Sequence, residues 1–287
     1  MGREYTLQKV RFDKREEDLK FFLLVGKQLL RIDDLHYGLW PDDLEVTFAN
    51  LGQAQENHSQ LMISNIPEGT RSILDVGCGA GALAKRLVGL GYEVEGVTPS
   101  AVLAAEGRKL LDNNLRIFES RIEDLEIERQ YDVVLFSESF QYVEMEKALA
   151  KCLALLNPGG HLLICDFFRK DVEGDSPFNS GPRLSRFREI VSELPLDLLE
   201  DIDITSESAP TMDLADDVLR NFFSPALDLV FHNLSGHFPR LGRFVTWRLQ
   251  KWKAKVKWRY FNGAQSGANF EKHKSYRLML FKKTGSI

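Results

Sequence analysis

Apolar residues recur along this chain with two different periods, and the change between them divides it. Over 15–31 (REEDLKFFLLVGKQLLR) they fall at helical spacing, which predicts an amphipathic helix. A second helix is expected over 43–65, ending before the turn residues Pro67 and Gly69. From there short apolar runs alternate with helical stretches. Strands are expected at 72–76 (SILDV), 92–97 (YEVEGV), 115–118, 131–136 (YDVVLF) and 161–167 (HLLICDF). Helices are expected between them at 81–90, 100–112 and 144–156, with a turn at Asn157-Pro158-Gly159-Gly160. The run at 131–136 is almost wholly apolar, as befits a strand covered on both faces. Strands separated by helical crossovers imply an α/β fold with a parallel sheet.

After Phe168 the rhythm changes. A polar loop leads to a helix at 183–193, a strand at 197–205, helices across 211–260 and a closing strand at 275–283. The expected organisation is an N-terminal helical lid (1–65), an α/β core (66–205), a helical cap insertion (206–270) and a closing strand of the core (271–287).

Composition narrows the class without deciding it. Apolar residues make up 44% and charged residues 28%, an ordinary soluble balance with enough apolar mass for a full core. A net charge of -5, with no nucleic-acid-recognition module in the pattern, argues against a nucleic-acid partner. Cys78, Cys152 and Cys165 have neither metal spacing nor an even-numbered framework, and read as reduced thiols of a cytoplasmic protein. The charged first residues lack the apolar stretch of a signal peptide, and no run approaches a membrane span.

The strongest local signal is Leu74-Asp75-Val76-Gly77-Cys78-Gly79-Ala80-Gly81, between a strand and a helix. Glycines there let a ligand approach the backbone, and a helix N-terminus offers N–H groups to an anion. The site would lie beyond the carboxyl ends of the strands, where open α/β sheets bind ligands. Gly77-x-Gly79-x-x-Ala82 also satisfies a loose dinucleotide pattern, and a plain structural turn is the bland alternative. Asp75, the strand at 131–136 and Leu156-Asn157-Pro158-Gly159-Gly160 favour a different cofactor.

LDVGCGAG, YDVVLF and LLNPGGHLLI, in this order and spacing, resemble the class I S-adenosylmethionine-dependent methyltransferases over roughly 66–168. The closest likeness is to the small-molecule subgroup of tocopherol methyltransferases and cyclopropane fatty-acid synthases. The resemblance implies a Rossmann-like seven-stranded mixed sheet whose last strand is antiparallel. It implies S-adenosylmethionine as cofactor, held by Asp75, Gly77, Gly79 and Gly81. Many members bind the ribose with an acid at the end of the second strand; here that position is Thr98, whose hydroxyl is a weaker hydrogen-bonding partner. Arg121 and Ile122 occupy the adenine-binding turn, where Arg121 replaces a common acid and a solvated charged turn is the competing reading.

In His36-Tyr37-Gly38-Leu39-Trp40, similar to a segment that closes over the cofactor in that subgroup, Tyr37 would donate its hydroxyl to the methionine carboxylate. Ser137-Glu138-Ser139-Phe140-Gln141-Tyr142 follows a strand and faces the expected cofactor, so Ser137 joins the cofactor set. Glu138 and Ser139 match the subgroup, whereas Gln141 and Tyr142 replace its Glu-His pair. Methyl transfer is a direct displacement in which alignment supplies much of the catalysis, and a base is needed only for an acceptor that loses a proton. Glu138, Tyr142 and His36 are the candidate catalytic residues, each with an ordinary packing or anchoring role as alternative. Phe270, His273 and Tyr276 near the closing strand are candidates to face the pocket. No metal is expected.

Between 240 and 259 eight basic residues interleave with Trp247, Trp252 and Trp258. A solvated helix face, a peripheral membrane contact and a funnel for anionic acceptors all fit this pattern. The expected activity is methyl transfer to a small, apolar or amphipathic, lipid-like acceptor. The rivals are non-methylating chemistry with the same cofactor, a nicotinamide enzyme, and a non-catalytic membrane-associated binding module.

Overall fold

A computed structural model describes residues 36–112, 114–173, 176–218, 220–221, 224–237 and 264–285. The helix expected at 15–31 and the basic tryptophan-rich segment at 240–259 lie outside the described residues. Helix α1 (Leu51–Ser64) is preceded by a single 3-10 turn, so the helix expected from 43 begins later. The core then alternates β1 (Ser72–Val76), α2 (Ala82–Gly89), β2 (Glu93–Val97), α3 (Ala101–Leu110), β3 (Arg116–Phe118), β4 (Tyr131–Ser137), α4 (Met145–Leu155) and β5 (Leu156–Arg169). It continues through α5 (Leu184–Ser192), β6 (Leu196–Asp203), α6 (Thr205–Ser208), α7 (Pro210–Val218), α8 (Ser224–His237), α9 (Gly267–His273) and β7 (Lys274–Lys283).

The seven strands lie in the order β3-β2-β1-β4-β5-β7-β6. The first five are parallel, and β7 runs antiparallel to both β5 and β6. This is the Rossmann-like mixed sheet the motifs implied. The turn expected at 157–160 is instead absorbed into β5: Tyr131 pairs with Leu156 and Val133 with His161, so the Pro-Gly-Gly run bulges out of the ladder.

Alternating residues feed two cores. Ile73, Val133, Leu135, Leu163, Cys165 and Leu278 point to one face. Leu74, Val76, Val134, Phe136, Leu162 and Ile164 point to the other, against α4 and α5. Burial on both faces explains why these strands read as unbroken apolar runs.

The two ends of the sheet treat their acids differently. At the amino ends, Asp132 Oδ2 accepts hydrogen bonds from the Arg71 and Ser72 amides (2.9 and 3.0 Å), and Asn157 donates to its other oxygen at 2.8 Å. Burial alone would push this carboxyl up, but these bonds bring it down to about 2. Asp132 is a clasp joining β1 to β4. Asp75, at the carboxyl end of β1, is buried with no such partners for Oδ2, and burial pushes it up to about 7.

Candidate functional site

The loops leaving β1, β2, β3 and β4 line two adjoining cavities at the carboxyl edge of the sheet. The first, of about 220 Å³, is lined by His36, Asp75, the 77–80 loop, Ser137, Glu138 and Tyr142 among others. The second, of about 520 Å³, is lined by Val97, Thr98, Leu103, Arg121, Ile122 and Tyr142 among others. Gly77, Leu103 and Tyr142 belong to both, so the cavities form one continuous cleft.

The glycine loop is shaped by what surrounds it. Gly77 has φ +75°, and a Cβ there would come within 2.2 Å of the Ser139 Cβ. Gly79 also has a positive φ, but a Cβ at that position meets nothing within 4 Å and would stand in open space. Gly77 is thus required by packing, whereas Gly79 keeps space clear. Gly81, the left-handed N-cap of α2, approaches the Gly107 Cα of α3, at 3.1 Å from its would-be Cβ. Gly81 lines neither cavity, and its part is helix packing.

Two buried polar atoms in the first cavity lack partners among the described residues: Asp75 Oδ2 and Ser137 Oγ. A buried polar group without a partner costs about 1–3 kcal/mol, so such a pair marks a place where a ligand completes the hydrogen bonding. The combination of a carboxylate and a hydroxyl suits a ligand that carries N–H donors.

The second cavity is mostly apolar. Ile122 is buried and contributes to its wall, while the Thr98 hydroxyl accepts from the Ser100 amide (3.3 Å) and still has its own proton to donate. Arg121 is tied up locally: its guanidinium holds Glu123 at 2.9 Å, and Glu123 also accepts from the Glu144 amide. This geometry fits the structural reading of Arg121 alongside its place on the cavity wall.

Glu138 is one of two non-glycine residues with positive φ among the described residues, at φ +51°. Such a conformation costs of order 1–3 kcal/mol and persists only where the surroundings enforce it. Its amide donates to the Cys165 carbonyl at 2.9 Å. Its Oε1 accepts from the Tyr37 amide and from the Tyr276 hydroxyl, each at 2.6 Å. Burial pushes the Glu138 carboxyl up, opposed by His36 and by these two hydrogen bonds. His36 Nδ1 lies 2.8 Å from the Tyr37 carbonyl, which can only accept, so the proton sits on Nδ1 and Nε2 is the basic nitrogen. The Ser59 hydroxyl lies 3.3 Å from that Nε2.

Tyr37 is placed differently from its expected role. Its ring packs against Phe167 and Phe270 at 5.5 and 5.7 Å between centroids, it lines neither cavity, and it meets Glu138 through its backbone. Trp40 is pinned by its indole N–H to Thr211 at 2.9 Å, which fixes the 36–40 segment against α7. Tyr142 is exposed and stands where the two cavities meet. Three residues outside the expected set join the cluster: His58, Cys165 and Asp166. Nothing in their local sequence marks them, because α1 and β5 bring them in from afar. Tyr276, a candidate to face the pocket, reaches Glu138 from β7.

Residues 74–164 match a family described as a methyltransferase domain. Over these residues the chain is similar to methyltransferase domains. The chain is 32% identical over 101 residues to a ubiquinone biosynthesis O-methyltransferase of Rhodopseudomonas palustris (strain BisB18), covering 34% of this chain and 40% of that one. A protein of the same name from Bradyrhizobium sp. (strain ORS 278) is 33% identical over 96 residues, covering 32% and 38%. The chain thus matches about two fifths of the length of these curated relatives. In fold it resembles geranyl diphosphate C-methyltransferase from Streptomyces coelicolor A3(2), solved with Mg2+, geranyl diphosphate and S-adenosyl-L-homocysteine: TM-score 0.64, 15% identity, 95% of this chain and 98% of that one. It also resembles the (4+2)-cyclase SpnF, with TM-score 0.64, 18% identity and coverage of 94% and 96%. Among the described residues no helix is long and apolar enough to cross a membrane.

Proposed function

We propose that this protein binds S-adenosylmethionine in the joined cavities and transfers its methyl group to a small molecule whose acceptor atom, a hydroxyl oxygen, gives up a proton. The observation that carries the donor half is the pair of unpartnered buried atoms, Asp75 Oδ2 and Ser137 Oγ, beside the space kept clear by Gly79. They fit the amino group of the donor's methionine end. The larger, apolar cavity suits the adenosine end, with Ile122 and Leu103 against the base and Thr98 toward the ribose. When bound, the donor supplies an electrophilic methyl group on a positively charged sulfur.

The chain's own residues do the rest. His36 Nε2 is the general base, and Glu138 beside it offsets the charge His36 gains on taking a proton. A base of this kind is needed for a hydroxyl acceptor. The curated relatives, named as O-methyltransferases, support the same choice of atom. Tyr142 stands at the cleft mouth, and the aromatic cluster of Tyr37, Phe167, Phe178 and Phe270 behind it favours an apolar or amphipathic acceptor. The 36–40 segment is tied to α7 on this side through Thr211. The basic, tryptophan-rich sequence at 240–259 has a composition suited to anionic lipid or substrate.

The test is transfer of labelled methyl groups from S-adenosylmethionine into a fractionated lipid and metabolite extract, with the product identified by mass. A methyl ether is the expected product. Substrate turnover that leaves S-adenosylmethionine unconsumed would sink methyl transfer and favour the non-methylating alternative.

A further inference from the structure

The hydrogen bonding behind Glu138 has a direction. The Tyr276 hydroxyl lies 2.6 Å from Glu138 Oε1 and 2.7 Å from His58 Nε2, and Cys165 Sγ is 3.4 Å from the same nitrogen. Tyr276, His58 and Cys165 are all fully buried. A phenol has one proton, and an ionised carboxylate can only accept, so that proton points to Glu138. His58 Nε2 must then be the donor to the phenol oxygen, which makes His58 neutral with its proton on Nε2. The chain of donation runs from α1 through β7 to the loop after β4, and the Tyr37 amide adds a second donor on the same oxygen.

The same atoms offer another reading. His36, His58 and Glu138 each place a possible metal-ligand atom within 4.8 Å of the others. Yet the Tyr276 hydroxyl already occupies both His58 Nε2 and Glu138 Oε1, and the two imidazoles lie ring against ring at 4.4 Å rather than converging on a point. Hydrogen bonding therefore accounts for the cluster.

The other groups facing Glu138 are His36 and Tyr37 from the N-terminal segment, Tyr142 from its own loop, and Asp166 from β5. Asp166 is pushed up to about 8 by burial and then by the Glu138 charge. Burial pushes both carboxyls up; His36, the Tyr276 hydroxyl and the Tyr37 amide oppose it at Glu138, whereas backbone amides, those of Gln141 and Phe167 among them, oppose it at Asp166.

Building on the methyl-transfer reading above, we propose that Tyr276 and His58 are positioning residues that hold the Glu138 carboxylate fixed and charged beside His36, tuning His36 for removal of an acceptor proton. Neither residue touches donor or acceptor; both act through Glu138.

Nitrogen-detected NMR of the histidine side chains in the whole protein, with S-adenosylhomocysteine added, reads this directly. His58 is expected as the neutral Nε2–H tautomer from pH 6 to 8, and His36 as the Nδ1–H tautomer when neutral. Tyr276→Phe should lower the titration midpoint of His36 by about half to one pH unit, because the anion beside it is held less well. In the methyl-transfer assay it should lower kcat about tenfold with S-adenosylhomocysteine affinity unchanged within twofold. His58→Gln, which keeps an N–H donor, should retain more activity than His58→Leu. A His58 that carries its proton on Nδ1 or is an imidazolium, a His36 midpoint unmoved in Tyr276→Phe, or a divalent metal retained through dialysis would overturn the proposal. The tautomer and midpoint need no acceptor, so their failure is separate from failure of the wild-type protein to transfer methyl groups.

Discussion

The two parts of the cleft proposed above as donor side and acceptor side are built in opposite ways. The donor side is local: one strand, one loop and one helix, with Asp75, Gly77 and Gly79 inside a single eight-residue run. Its key atoms wait for a partner, as Asp75 Oδ2 and Ser137 Oγ show. The acceptor side is assembled from afar: His36, His58, Glu138 and Tyr276 span most of the chain, and hydrogen bonds already tie Glu138 to two of its neighbours. A site that receives the same cofactor every time can be a short rigid motif. A site adapted to one acceptor draws on whichever elements the fold brings to that edge.

That difference can be broken from either side. The largest effect is expected at Gly79, where a side chain would fill the cleft without colliding with the protein. Gly79→Leu should weaken S-adenosylhomocysteine binding about 30- to 150-fold, the equivalent of two lost hydrogen bonds at about 1–1.5 kcal/mol each, while the melting temperature falls by only a few degrees. Calorimetric titration and thermal unfolding check the pair; tight binding in this variant would mean that the donor lies elsewhere.

On the other side, His36→Ala should reduce kcat by roughly 10²–10⁴, the usual contribution of a positioned base. Its affinity for S-adenosylhomocysteine should stay within about threefold of wild type. Loss of both together would show that the two sides are not separable.

A smaller effect is expected from pH. Burial raises Asp75 to about 7 in the empty cleft, against about 3.9 in an unfolded chain. The raised value means the fold loses stability as pH climbs from the unfolded value through 7, because the charge must then be buried unpaired. An ammonium ligand pairs with the ionised form alone, so binding below pH 7 must expel a proton. Affinity for S-adenosylhomocysteine should therefore weaken about tenfold from pH 8 to pH 6. A flat profile would place the ligand's amino group away from Asp75.

The smallest effect should come from the ribose end. Thr98→Val removes one neutral hydrogen bond, worth about 0.5–1.5 kcal/mol, and should weaken S-adenosylhomocysteine binding between about twofold and tenfold in the same titration. Complete loss would show that Thr98 carries more than a ribose contact.

Much of this was legible in the order of residues. The strand runs at 72–76, 131–136 and 161–167 were readable because each is buried on both faces and carries almost no polar interruption. The closing antiparallel strand was implied by the family resemblance, and SYRLMLFKK fitted it. The Asn157–Gly160 turn was misplaced because a bulge uses the same residues as a turn; only the Val133–His161 pairing tells them apart. Helix α9 went unread because its seven residues, Gly267–His273, are too few to show a period. On the proposed donor side the motif points to Asp75 and the loop, while Gly81 packs against Gly107 of α3. On the acceptor side the aromatic segment and Glu138 stood out, whereas His58 is one polar residue in an otherwise ordinary helix. Its meaning appears only when β7 sets Tyr276 against it. Tyr37 shows the limit of a motif: the residue is where the pattern puts it, but it engages the site through its backbone amide.

The most direct test of the donor site is titration of S-adenosylhomocysteine at pH 6.5 in two buffers of different ionisation enthalpy, for the wild type and for Asp75→Asn. Wild-type binding should release most of one proton. Asp75→Asn should bind at least about tenfold more weakly and release none. Equal affinity and equal proton release in the two proteins would contradict the assignment of Asp75 to the donor's amino group, and with it the orientation of the donor in the cleft.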